Sequence, residues 1–148
     1  MTRLNLPEVE FKIREKEENH EIFDVIRKKY IHLTPEEWVR QHFIHYLISH
    51  LNYPRSLIKV ESGLIYNTLV KRSDILAYSS DGKPLLLVEC KSFKKPINQG
   101  TLVQATTYNK MISAPYLALT NGLNHFCYTQ KEGTYTSLKE IPTYGCNF

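Results

Sequence analysis

Residues 72–92 read RSDILAYSSDGKPLLLVECKS, and the way this stretch folds back on itself decides the architecture of the chain. Two apolar runs, SDILAYS and PLLLVEC, flank an Asp81-Gly82 pair of the kind preferred in two-residue type I′ turns. The reading is a hairpin. With the turn centred on Asp81-Gly82, Ser80 pairs with Lys83 and Asp74 falls directly opposite Glu89. Opposed residues hold their Cβ atoms about 4.5–5.5 Å apart, where two carboxylates repel unless a cation or a proton lies between them. The strand period of two puts Glu89 and Lys91 on one face and turns Cys90 to the other. An apolar strand therefore ends in charges, and buried charges without partners are strongly unfavourable.

Upstream, TPEEWVRQHFIHYLISHL carries the marks of a helix start: Thr34 as N-cap, Pro35 in the first turn and Glu37 three residues after the cap. The helix is expected to run to about Leu51, where NYP stops it. Val39, Phe43, Ile44, Tyr46, Leu47 and Leu51 make a broad apolar face at helical spacing, with Arg40 inside it and Glu37 at its border. Either Glu37 completes a capping box and pairs with Arg40, or both charges are aimed at a site.

In the first 33 residues, VEFKI and IFDVIRKKYIHL read as strands and the charged REKEEN as a solvated turn between them. SLIKVE is a further strand before the hairpin. After KSFKKP, INQGTLVQATTYNKMIS reads as a second helix with Gln104 and Tyr108 stacked one turn apart. PYLALT, LNHFCYT and TYTSL follow as strands, and IPTYGCNF as a plain terminus. The pattern is α-β-β-β-α-β-β behind an N-terminal hairpin. It is expected to form one domain over 1–148, with 1–33 an extension, 34–138 the core and 139–148 a tail.

At 148 residues the chain is long enough to bury a core without disulfides. Cys90, Cys127 and Cys146 have no CxxC spacing, so reduced thiols are expected and a zinc knuckle is not. No apolar run approaches the ~20 residues of a membrane span, and MTRLNLPEVEFK holds no apolar signal segment, so a cytoplasmic chain is expected. A net charge of +4 and a pI near 8.9 permit nucleic-acid binding without requiring it. His42 and His45 lack the partners of a zinc site and read as helix-surface histidines. The basic groups Arg27-Lys28-Lys29, Lys71-Arg72 and Lys94-Lys95 fit either solvated faces or phosphate contacts.

Asp74, Glu89 and Lys91 make a constellation D…ExK. Two carboxylates converging from neighbouring strands suit Mg²⁺, which takes one or two carboxylates and keeps several waters. A lysine beside them can orient or deprotonate a water for attack on phosphorus. The bare string also fits an ion-paired strand end. The hairpin D…ECK resembles the signature of the PD-(D/E)XK nuclease superfamily, with Asp74 at its first motif position and Glu89 and Lys91 at its second. QATTY, Gln104 to Tyr108, matches the QxxxY motif of the RecB-like branch. From TPEEWVRQHFIHYLI through YLALTNGLNHFCY the chain is similar to the family named for the N-terminal nuclease domain of the restriction subunit of type I restriction enzymes.

The resemblance implies an α/β (α+β) restriction-endonuclease-like core, a mixed central sheet flanked by helices. It implies Mg²⁺, with Mn²⁺ as a substitute, held by Asp74, Glu89 and the backbone carbonyl of Cys90, with Glu37 as an additional acidic residue. Gln104 and Tyr108 would touch the substrate backbone or brace the lysine. Apart from the resemblance, Lys94 and Lys95, a few residues past the motif lysine, and Arg72 are candidate nucleic-acid contacts by their basic charge. The implied partners are DNA and translocase or methyltransferase subunits or a second copy, with no membrane. No GxxxxGK[ST] occurs, so ATP-driven translocation is not expected of this chain. A non-catalytic nucleic-acid-binding or assembly module of the same fold, acting with partner subunits, and a metal-dependent hydrolase of small phosphate compounds remain as alternatives.

Overall fold

The computed structural model of the chain describes residues 1–66 and 69–145, with side chains outside 61–73. In chain order it contains β1 (Ile13–Lys16), β2 (Asn19–Asp24), β3 (Lys29–His32), α1 (Pro35–Ser49), β4 (Ile58–Tyr66), β5 (Leu69–Tyr78), β6 (Pro84–Cys90), α2 (Gln99–Ile112), β7 (Tyr116–Thr120), β8 (His125–Lys131) and β9 (Thr134–Leu138). Strands β1-β2-β3 form an antiparallel meander, and β4-β5-β6-β7-β8-β9 a six-stranded sheet in that order. Within the larger sheet β6 and β7 run parallel and the other neighbours antiparallel. A parallel pair needs a long crossover, and α2 supplies it.

Helix α1 begins as its sequence requires. Thr34 is extended and its hydroxyl accepts the Glu37 amide at 3.0 Å, with Pro35 at the first helical position. Helix α2 opens on a reciprocal Asn98–Thr101 capping box. The helices cover opposite faces of the sheet. Val39, Phe43, Ile44 and Leu47 pack with Ile75, Ala77, Leu86, Val88 and Cys90 on the α1 side. Leu76, Leu87, Leu117 and Leu119 meet Ala105 on the other. Burial on both faces is why PLLLVEC is apolar at nearly every position.

The hairpin turn differs from the expected one. Gly82 N–H donates to Ser79 O at 3.0 Å, Ser79 N–H to Lys83 O at 2.9 Å, and Gly82 alone in the turn has positive φ. This is a type I turn closed by a left-handed glycine, not a type I′ turn on Asp81-Gly82, and Ser79 rather than Ser80 faces Lys83. Tyr78 pairs with Pro84 and Ala77 with Leu86, leaving Leu85 as an extra residue. That irregularity shifts the register by one, so Ile75 pairs with Val88 and the expected alignment returns at the far end.

The N-terminal region also departs from expectation. The expected turn in REKEEN is confined to Glu17 and Glu18, both at positive φ, while Asn19 opens β2 and Arg14–Lys16 belong to β1. The partners of this exposed strand are charged and aromatic, with Arg14 bonded to Glu21 and its guanidinium over the Tyr30 ring. The segment before it crosses to the large sheet, where Asn5 N–H donates to Gly122 O at 2.8 Å. Gly122 has φ +85°, and a Cβ there would lie 2.8 Å from Leu4 Cδ2, so this crossing requires glycine. At the other end the tail is anchored: Ile141 is buried, Tyr144 N–H donates to Leu51 O, and Tyr53 OH to Pro142 O. Cys90 and Cys127 are free buried thiols, while Cys146 lies outside the described residues. Among the described residues no helix is long and apolar enough to cross a membrane.

Phe43 is the largest α1 side chain fully sealed against the sheet. Phe43→Ala is expected to lower unfolding free energy by about 3–5 kcal/mol, the range for emptying an aromatic core site. Denaturant melts would measure it, and a loss below about 1 kcal/mol would mean that α1 is not held by this contact.

Candidate active site

Beyond the Ile75–Val88 pair the two strands reach Asp74 and Glu89 at the same end of the sheet. Asp74 Oδ2 accepts the Cys90 amide at 2.7 Å, which ties the carboxylate of β5 to the backbone of β6. Lys91 leaves β6 beside them, its own amide donating to Thr120 O on β7 at 2.8 Å. Its ammonium lies 3.4 Å from Glu89 Oε1 and 3.4 Å from Gln104 Oε1. Helix α2 thus lends its amide to the lysine, while the lysine leans on the glutamate.

Arg40 approaches Asp74 from α1. Its Nη2 donates to Asp74 Oδ1 at 2.6 Å and to Glu36 Oε2 at 3.0 Å, and its Nη1 to Glu37 Oε1 at 2.6 Å. Behind it, Arg27 Nη2 donates to Glu37 Oε2 at 3.0 Å, and Gln41 Nε2 reaches both Glu37 Oε2 and Asp24 Oδ2 at 2.9 Å. Arg27 Nε closes the chain on Asp24 Oδ2 at 2.6 Å. Asp24 is fully buried and its Oδ1 accepts the amides of Ile26 and Arg27, so it fixes the β2–β3 turn as well. Burial alone would raise the Asp24 carboxyl, but the Arg27 amide, the Gln41 amide group and the Arg27 guanidinium hold it below its ordinary value.

A mixed sheet with a carboxylate pair and a lysine at one strand end meets the comparison that decides its kinship. The family model described as type I restriction enzyme R protein N terminus matches residues 35–142. The chain belongs to that family. No curated protein matches it. A solved fragment described as an HsdR subunit of a type I restriction enzyme from Vibrio vulnificus YJ016 shares the fold at a TM-score of 0.56 and 21% identity. That likeness covers 75% of this chain and 24% of the fragment.

For this R-protein N-terminal domain, the residues singled out in the sequence divide into two groups. Asp74, Glu89, Lys91 and Gln104 come together, with the Cys90 backbone between the first two. Tyr108, one turn beyond Gln104, packs half-buried against the α2-side core. Lys94 and Lys95 are exposed on the loop just past Lys91, a loop held by Asn121 Nδ2 on Lys95 O. The side chain of Arg72 lies outside the described residues. Glu37 faces away from the pair: both its oxygens are taken by Arg40, Arg27 and Gln41, and Arg40 stands between it and Asp74. The α1 carboxylate whose charge reaches the strand pair is Glu36, which bears on Asp74 and on Glu89. The sequence signal for Glu36 was present in its i,i+4 spacing to Arg40. Arg27 belongs to this network instead of a solvated basic patch, and His42 is buried against Phe11 and Trp38 instead of lying on the surface.

Among the described residues no group of three His, Cys, Asp or Glu side chains is assembled to hold a metal. The donor set nonetheless fits a hard divalent ion that keeps its own waters, since two carboxylates and a backbone carbonyl meet that need. The charges agree. Among the described side chains, the carboxyl groups of Asp24, Glu36, Glu37, Asp74 and Glu89 number five against the three cations Arg27, Arg40 and Lys91. At Glu89, burial first and then the charge of Asp74 push the pKa up to about 7, against the pull of Lys91. Burial also holds Asp74 above the ordinary carboxylate range despite Arg40 and the Cys90 amide.

A carboxyl whose folded pKa is raised from 4.5 to about 7 contributes stability in full below its unfolded value and loses it as pH rises through the folded one. In EDTA, wild type is therefore expected to lose on the order of 1–3 kcal/mol relative to Glu89→Gln between about pH 5 and pH 8. Denaturant melts across that window check it. A difference that stays flat with pH, or a Gln variant less stable than wild type at the alkaline end, would place Glu89 in a stabilising ion pair with Lys91 and remove the strained pair.

Proposed function

We propose that this domain is a Mg²⁺-dependent nuclease that hydrolyses phosphodiester bonds of DNA, with Mn²⁺ an acceptable substitute. The observation that carries the reading is the convergence of Asp74, Glu89 and Lys91 at one end of a buried sheet, with Glu89 poised near neutrality. Membership in the R-protein N-terminal family supports the same chemistry. Asp74, Glu89 and the carbonyl oxygen of Cys90 would hold the ion. Bound there, a divalent ion would offset charge on the phosphate oxygens and make a water more acidic.

The remaining roles fall to the chain itself. The Lys91 ammonium orients the attacking water and faces the negative charge that grows on the phosphate in the transition state. Gln104, at 3.4 Å, holds that ammonium toward the carboxylates. Tyr108 braces the same helix face, and Lys94, Lys95 and Arg72 give phosphate contacts that position the strand without reading its sequence. The partners in this reading are DNA, other restriction-modification subunits carrying translocase or methyltransferase activity, or a second copy of the chain.

One observation favours a second reading. Arg40 already lies on Asp74 at 2.6 Å, as it would in a non-catalytic assembly module whose acids have become an ion-pair network. The two readings separate on metal binding and cleavage. Asp74→Ala and Glu89→Ala are each expected to abolish Mn²⁺ binding in calorimetry and cleavage of single- and double-stranded DNA. Lys91→Ala should still bind Mn²⁺ while cleavage falls at least ~100-fold, the scale of a lost proton-transfer group. Unchanged metal affinity in either alanine variant would reject the site, and a metal-loaded wild-type chain that cuts nothing would favour the assembly module.

A further inference from the structure

We propose that the N-terminal meander is wired to the metal site: Arg27, acting through Glu37, sets how firmly Arg40 holds Asp74, and Arg40 competes with the divalent ion for that carboxylate. The inference rests on the reading of Asp74 as a metal ligand. Asp24 and Arg27 lie before residue 35, where the family match begins, yet an unbroken set of contacts joins them to the strand end. Each link is short, from 2.6 to 3.0 Å, and Asp24, Glu37, Gln41 and Arg40 are all buried. In such surroundings a charge cannot be exchanged for water, so losing one partner redistributes the others.

The direction of the coupling follows from how Glu37 is shared. Its Oε1 belongs to Arg40 and its Oε2 to Arg27 and Gln41. Without Arg27 the carboxylate has one guanidinium left, and its pull on Arg40 grows. Arg40 then gives less to Asp74, which becomes more available to an incoming cation. Arg27 is placed for this by Asp24, which anchors its side chain and its backbone amide together. Arg40 and Arg27 are thus positioning residues: neither touches the proposed ion, and both act through Asp74.

Mn²⁺ calorimetry on the full chain tests the proposal through Arg27→Met, Arg40→Met and the double variant. Arg40→Met is expected to bind Mn²⁺ about tenfold more tightly and Arg27→Met about threefold, because each removes competition at Asp74. The double variant should match Arg40→Met alone, since Arg27 acts only through Arg40. Structural damage would weaken binding, so looser binding in either single variant overturns the proposal. Independent, additive gains in the double variant overturn the relay. Arg40→Lys keeps the charge but cannot bridge three carboxylates, and it should fall between wild type and Arg40→Met. If neither Arg40 variant folds, Arg27→Met decides alone, and an unchanged affinity there overturns the relay. Asp74→Asn tests the underlying site separately: wild-type Mn²⁺ affinity in that variant removes the metal reading itself.

Discussion

One guanidinium makes the rest of the architecture tolerable. Arg40 is shared by Glu36, Glu37 and Asp74, three carboxylates from the start of α1 and the middle of β5, where its pairing with β6 stops. An acidic strand end could not otherwise be packed beneath a helix, because each desolvated carboxylate would need a proton or a partner of its own. The planar fork of arginine suits the position. It presents several donors in fixed directions, which a lysine ammonium on a flexible stem cannot do. The apolar side chains of α1 bring the helix to the sheet, and Arg40 decides which turn of it faces Asp74.

Alignment of the two carboxylates depends on a compensation between two irregularities. The turn at Ser79–Lys83, with glycine in the left-handed region, sets a register that would place Asp74 opposite Val88 if it continued. Neighbouring residues alternate faces, so Glu89 would then point away from Asp74. The extra residue at Leu85 cancels the slip before the strand end is reached. Bulges re-aim side chains in this way near functional sites, and the buried apolar faces of β5 and β6 hold the corrected register over the pairs that follow.

What was legible in the sequence was local. The Thr34 cap, the apolar runs SDILAYS and PLLLVEC around their turn and the helical spacing of Gln104 and Tyr108 each follow from chain geometry within a few residues. The pairing of Glu37 with Arg40 was legible as an i,i+3 alternative, but the hold of Arg27 on its second oxygen was not, because Arg27 lies ten positions earlier and its approach is dictated by the β2–β3 turn. The same turn explains why a basic triplet hid a buried ion pair: Asp24 binds its backbone and side chain before solvent can. REKEEN escaped as a strand for a related reason. Its stabilising contacts are a cross-strand ion pair and a guanidinium over Tyr30, so it has none of the apolar alternation that marks a half-buried strand. His42 escaped because part of its cover, Phe11, comes from outside its own helix, while Trp38 one turn back supplies the rest.

The network leaves its unbalanced charge in one place. Asp24, Glu36, Glu37 and Asp74 each have a guanidinium within hydrogen-bonding distance, while among the described side chains Glu89 has an ammonium at 3.4 Å. Glu89 is therefore the carboxyl that gains most from a proton at neutral pH and also the one that gains most from a cation. The two occupants exclude each other, so a cation that settles between Glu89 and Asp74 must displace the proton, and its apparent affinity rises with pH through the same range near 7. The arginines restrain this competition from the other side, since a guanidinium on Asp74 lowers the local negative potential that draws a cation in. A strand end built this way keeps the fold intact without a metal and still leaves one carboxylate poorly satisfied. A proton relieves that dissatisfaction below neutrality, and a divalent ion bound between the two carboxylates would relieve it in the proton's place.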